Sequence, residues 1–167
     1  MASVDEPVAL VPYDPAWPAY YQEHAAWLRK VIGADAVEVE HIGSTAVPGA
    51  LAKPILDVMV GVTDPEAGER VVAKLVSVRY EDCGGAPGRR YLRMREGQHF
   101  NVQIIEYDSE LWRANLVLRD YLCSSADAAR RYGEAKIVAA ERAATLLAYS
   151  ELKSAAVREL LREARLS

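Results

Sequence analysis

Apolar positions along this chain follow two periods, and the switch between them marks its elements. In "DPAWPAYYQEHAAWLRKVIG" the residues Trp17, Tyr20, Tyr21, His24, Trp27, Leu28 and Val31 recur at spacings of three and four. That spacing predicts an amphipathic helix. Asp14 caps it, Pro15 opens it and Gly33 ends it. His24 lies on the apolar stripe, which predicts a packed, hydrogen-bonded histidine at the core edge. The period then drops to two. In "VEVEHI", Val37, Val39 and His41 share one face, with Glu38, Glu40 and Ile42 on the other. In "PILDVMVGV", Leu56, Val58, Val60 and Val62 form an unbroken apolar face, and Ile55, Asp57 and Met59 look the opposite way.

Thr63 and Asp64 introduce a second helix over "PEAGERVVAKLVSV". The glycines of "YEDCGGAPGRR" lack the spacing of a phosphate-cradling loop and predict a mobile hairpin or surface loop. "RYLRMREG" and "HFNVQIIEY" predict two strands in a hairpin around Gly97. Tyr91, Arg93 and Arg95 share a face of the first, and Asn101 and Gln103 a face of the second. The remainder predicts three helices, over "SELWRANLVLRDYLCS", "SADAARRYGEAKIVAAERAATLLA" and "SELKSAAVRELLREARLS". Ser109 and either Ser124 or Ser125 are candidate caps. Gly133, inside the middle helix, costs about 1 kcal/mol against Ala and so marks close packing or a boundary. This order predicts an α+β fold, a small mixed sheet covered mainly by helices, in one domain over residues 1–167.

Composition narrows the function classes. At 167 residues one domain can bury about 70% of the surface its unfolded chain exposes. A formal charge of −4 argues against wrapping nucleic acid, which needs many cations at phosphates. No apolar run approaches the roughly 20 residues of a membrane span. The start "MASVDEPVALV" lacks the basic and apolar regions of a secretory signal. Cys83 and Cys123 stand far apart in no metal-type spacing, which fits two free thiols in a reducing cytoplasm.

Should the apolar strand faces lie against helices, the opposite face gathers Asp57, Met59, Asn101 and Gln103. The Gly43–Ser44 turn and His41 then stand nearby, and Arg93 and Arg95 reach in from a neighbouring strand. Gly43 permits close approach of a ligand to the backbone, and Ser44 and Thr45 add hydroxyls. A helix starting after this turn would favour an anion. Lys53 supplies a compact positive charge suited to phosphate or carboxylate. His41 is the candidate general base if chemistry occurs here; the alternative is a hydrogen bond that fixes the turn. Arg89, Arg90, Arg93 and Arg95 form the densest positive cluster of an acidic chain, pointing to an anionic ligand or to balance against nearby acids. Asn101 and Gln103 suit hydrogen bonding to a polar substrate, or are solvated amides. Arg119 and Asp120 are expected to pair structurally with the sheet or a neighbouring helix.

The stretches "EHIGSTAVPG", "AKPILDVMV", "LWRANLVLRDYL", "RYGEAK" and "YSELKSA", in this order and spacing, resemble the GrpB family. The likeness runs from "VPYDPAWP" to the last helix. It implies the minimal nucleotidyltransferase fold, in a domain also found fused to dephospho-CoA kinase, but no settled reaction. By this resemblance Gly43 and Ser44 match the turn that holds nucleotide phosphates, and Asp57 matches the first acid of a metal-binding strand. The second acid falls at Met59, and an acid or His-x-His pair of a later strand falls at Asn101 and Gln103. Lys136 and Lys153 sit in family motifs on helices and are expected to point toward the same pocket. Two-metal phosphoryl chemistry needs several carboxylates. A single Mg²⁺ asks only for one or two together with substrate phosphates. The first expectation is therefore an enzyme acting on a nucleotide, with a nucleoside triphosphate as candidate substrate, or on another anionic small molecule. The reaction is nucleotidyl or related group transfer, with Asp57 or His41 activating the acceptor and Asp57 a candidate Mg²⁺ ligand. Two alternatives stay open: metal-independent amide or ester chemistry on small molecules, and a non-catalytic anion-binding module.

Overall fold

The computed structural model describes residues 7, 9–142 and 146–166, with the side chains of 146–153 outside the description. Its centre is a mixed five-stranded sheet flanked by helices on both faces. The strands are β1 (Glu38–Ile42), β2 (Ile55–Val62), β3 (Glu81–Ala86), β4 (Arg89–Met94) and β5 (His99–Glu106), in spatial order β1-β2-β5-β4-β3. β2 and β5 run parallel, and every other pair is antiparallel.

Helices α1 (Trp17–Ile32) and α2 (Pro65–Ser77) cover one face. Their buried residues, among them Trp17, Leu28, Val71 and Leu75, pack on Val39, Leu56, Val58, Val60, Val102 and Ile104. This is the apolar face the period of two predicts, Val39 of β1 meeting Val60 of β2 across the ladder. His24 lies in that layer as expected. Its Nε2 meets the Tyr80 hydroxyl and its ring stacks 3.7 Å from Phe100. The Asp64 side chain caps α2 by accepting from the Ala67 N–H at 2.8 Å. Asp14 accepts instead from the Ala16 N–H at 2.8 Å, so α1 starts at Trp17, two residues later than the proline signal suggests.

The other face meets α3 (Glu110–Ser124), α4 (Ala126–Arg142) and α5 (Leu146–Leu166). Ser109 accepts from the Trp112 N–H at 3.2 Å and Ser125 from the Ala128 N–H at 3.1 Å, so Ser125 rather than Ser124 caps α4. Trp112 lies flat enough on the sheet that a Cβ at Gly61 would stand 2.9 Å from its ring. It closes a small apolar cluster with Ile42, Met59 and Ile105. Leu122, Tyr132 and Leu160 hold the three helices to one another and to Val47 and Ala50.

Of the two readings of "YEDCGGAPGRR", the hairpin is the one present: β3 pairs with β4 through a bulge between Asp82 and Gly85, its ladder bonds overriding weak local strand preference. Two expectations are corrected. The last helix begins by Leu146 rather than Ser150. Gly133 marks neither tight packing nor a boundary, since a Cβ there would meet nothing within 4 Å.

Candidate functional site

Strand pairing decides which side chains become neighbours. On the face turned to α3, α4 and α5, one cross-strand row reads Ile42, Asp57, Asn101, Arg93, Glu81. The next reads Glu40, Met59, Gln103, Tyr91. Met59 is fully buried under α3, so this face is closed at one end and opens at Asp57 and Asn101. Between the open part and the helices lies a cavity of about 620 Å³.

Asp57 is held in a directed chain of hydrogen bonds. Asn101 Nδ2 donates to Asp57 Oδ1 at 3.0 Å, and Arg95 Nη2 donates to Asn101 Oδ1 at 2.9 Å. Arg95 is itself anchored on the carbonyls of Met94 (3.1 Å) and Phe100 (2.9 Å). The carboxamide of Asn101 thus has its two ends assigned: an acceptor for a guanidinium and a donor for a carboxylate. Asp57 Oδ2 turns toward Gly43, where a Cβ would stand 2.8 Å away. Gly43 also has φ +75°, so both backbone conformation and space exclude a side chain.

Lys53, Arg89, Arg93, Arg95, Arg119 and Arg158 line the cavity around Asp57. Two of them are neutralised from outside the lining. Arg93 Nε donates to Glu81 at 2.6 Å, and Arg119 Nη1 to Glu40 at 2.7 Å. Arg119 also binds Asp120 at 2.9 Å and the His41 carbonyl at 3.1 Å, so its expected pairing with the sheet is present while it still lines the cavity. Tyr91 lines the same wall with its hydroxyl pushed up in pKa, first by burial. Burial also raises the Cys83 thiol, which keeps it protonated and a poor nucleophile.

Of the residues singled out from sequence, Gly43, Lys53, Asp57, Arg93, Arg95, Asn101 and Gln103 converge on the cavity. Four others do not line it. His41 pairs across the strands with Val58, so it lies on the α1 face. It is 8% exposed, stacks 4.7 Å from Tyr21 and bonds Thr45 Oγ1 at 2.8 Å. Burial lowers its pKa to about 4, with Asp57 opposing and Arg119 adding to the shift. The period of two already put His41 beside Val39, a signal that contradicts a place near Asp57. Thr45, 1% exposed, is consumed by that same bond. Ser44 turns to the Tyr132 hydroxyl at 3.4 Å. Lys136 is 1% exposed, with its ammonium 4.8 Å from the Tyr132 ring, behind the lining rather than in it. The side chain of Lys153 lies outside the described residues. After Gly43 comes only the single 3₁₀ turn Ser44–Ala46, not a helix whose N-terminus could hold an anion.

Sequence reasoning missed the helical wall. Asn115, Leu118, Arg119 and Leu122 of α3, Tyr132 of α4, and Ser154, Val157 and Arg158 of α5 complete the cavity. Their helical spacing was visible, but not the surface they would face.

The donor set does not fit a metal held by the protein alone. Among the described residues no three His, Cys, Asp or Glu side chains group to hold a metal ion. The one carboxylate lining the cavity among the described residues already accepts from Asn101. Among those residues, too, no helix is long and apolar enough to cross a membrane.

The family described as GrpB protein matches residues 7–163. A UPF0157 protein of Halalkalibacterium halodurans is 32% identical over 161 residues, covering 94% of this chain and 82% of its own. A dephospho-CoA kinase of Mycolicibacterium paratuberculosis is 39% identical over 77 residues, 44% of this chain and 19% of that one. The crystal structure of conserved protein GrpB from Enterococcus faecalis superposes with a TM-score of 0.82 at 32% identity, over 93% of this chain and 96% of that one. The Cid1 poly(U) polymerase, solved with MgGTP bound, shares the fold at a TM-score of 0.54 and 15% identity, over 76% and 42% of the two chains.

Proposed function

The chain belongs to the GrpB family, and on that premise we propose that it is an enzyme acting on a nucleotide or another anionic small molecule. Nucleotidyl or related group transfer is the reaction. The observation that carries this reading is the carboxylate of Asp57 standing in a cavity where, among the described residues, every other charged lining side chain is a cation. Lys53 and the arginines hold the negative charge of the substrate and of the transition state. Gly43 lets the substrate approach the backbone. Asp57, with Oδ1 taken by Asn101, offers Oδ2 to accept a proton from the attacking group. His41 has no part in this step, being buried on the far face of the sheet.

Thermal denaturation with ATP, CTP, GTP and UTP, each with and without Mg²⁺, tests the binding. At one hundred times its dissociation constant a ligand stabilises by about 2.7 kcal/mol. For a chain of this size that raises Tm by roughly 5–10 °C. No shift with any of the four removes the nucleotide. Asp57→Asn is expected to keep binding and lose turnover, and Asn101→Ala to keep binding and slow turnover about tenfold or more.

The absence of a three-ligand group among the described residues favours one further reading, metal-independent amide or ester chemistry. Activity indifferent to EDTA yet lost in Asp57→Asn selects it. Tight binding with no product after prolonged incubation selects a non-catalytic module instead.

A further inference from the structure

The two walls of the cavity differ in chemistry. The sheet and its turns bring the carboxylate and most of the cations. The helices bring Leu118 and Leu122, four residues apart on one stripe of α3, and Val157 of α5. These three also pack into the cluster that joins the helices, so the aliphatic wall is fixed in place by the fold. The aromatic rings of the lining are partly taken already. The Arg89 guanidinium lies 4.7 Å over Tyr91, and the Lys136 ammonium 4.8 Å over Tyr132. What remains for the uncharged part of a ligand on the helical side is aliphatic surface. One row from Asp57, Gln103 Oε1 is buried with no hydrogen-bond partner among the described residues, an acceptor in need of a donor. A cavity of about 620 Å³ is sized for an organic molecule, far larger than a bare inorganic anion.

We propose that this site takes an amphiphilic anion: a phosphate or carboxylate head on Lys53 and the arginines, and an aliphatic body of a few carbons on Leu118, Leu122 and Val157. This rests on the anion-binding reading above and adds what the anion carries. The aliphatic wall has a measurable consequence, because each methylene fully removed from water improves affinity about fourfold.

The test is calorimetric titration of the full chain, at one ionic strength, with methyl, butyl and hexyl phosphate and with acetate, pentanoate and heptanoate. Inorganic phosphate is the head-only reference. Affinity is expected to rise about two- to fourfold per methylene in at least one series, and the series that rises identifies the head. Leu118→Ala and Val157→Ala should flatten that rise while leaving the dissociation constant of inorganic phosphate unchanged. Lys53→Ala should weaken every member by the same factor. Affinity independent of chain length, with inorganic phosphate or nucleotides still binding, overturns the aliphatic subsite and spares the anion site. A rise that both wall variants leave intact overturns it as well. No binding of any anion, nucleotides included, overturns both readings together.

Discussion

The two faces of the sheet are built from the same strands, one residue out of step. On the face under α1 and α2, Leu56, Val58, Val60 and Val102 are completely buried. On the other, Asp57 and Asn101 alternate with them and carry charge and hydrogen bonds to a cavity. The packed face also holds His24 and His41, two of the chain's three histidines, and burial drives both down to about 4. On the open face Asp57, the acid that lines the cavity among the described residues, is oriented by an amide and a guanidinium. Burial decides whether a titratable side chain is available for chemistry, and in a sheet burial is decided by one step of register.

Breaking the packed face should have the largest effect on stability and the least on the site. Leu75→Ala, at a fully buried position of α2, is expected to cost about 2–5 kcal/mol in urea unfolding. Ligand affinity of the folded fraction should stay within about threefold of the parent, since a distant truncation acts independently of the site. Equal damage to binding would mean that the faces are coupled. Gly43→Ala attacks the open face through its backbone. With φ at +75° and Asp57 Oδ2 2.8 Å from the new methyl, it should cost about 1–3 kcal/mol and perturb binding as well.

The buried histidines sharpen the contrast through pH. Their folded pKa values, about 4, lie below the ordinary value of about 6.5 expected when unfolded. Between those values the unfolded chain binds protons that the folded chain refuses. Stability therefore stands at its full value above pH 6.5 and falls as pH drops toward 4, by about 1–2 kcal/mol per histidine after allowing for partial solvation. Urea midpoints across pH 4–7 should show the slope. His41→Gln should reduce it without altering ligand binding at pH 7. The smallest expected effect is a gain. Gly133→Ala, inside α4 with open space around its Cβ, should raise stability by about 0.5–1 kcal/mol, read as a higher Tm.

Much of the site was legible because alternation is a local property. The apolar run at Leu56, Val58, Val60 and Val62 placed Asp57 on the opposite face before any fold was known, and Asn101 and Gln103 followed from Val102 and Ile104. The same rule set His41 with the packed residues. Expecting it near Asp57 weighed chemical suitability above periodicity, and periodicity prevailed. For β3 the sequence leaves hairpin and surface loop both open, because "EDCGGA" has little strand preference of its own and is held by ladder bonds to β4.

What the chain determines by itself is the succession of helices and strands, the inward and outward face of each strand, and the family motifs around Gly43 and Asp57. Only the folded molecule decides that β2 lies parallel to β5, so that Asn101 rather than another amide meets Asp57. Only the folded molecule brings Leu118, Tyr132 and Val157 over the sheet to close a cavity. The reason is physical. Side-chain direction is set by backbone geometry over a few residues, whereas strand order and helix placement depend on contacts between residues far apart in sequence, which no local pattern encodes.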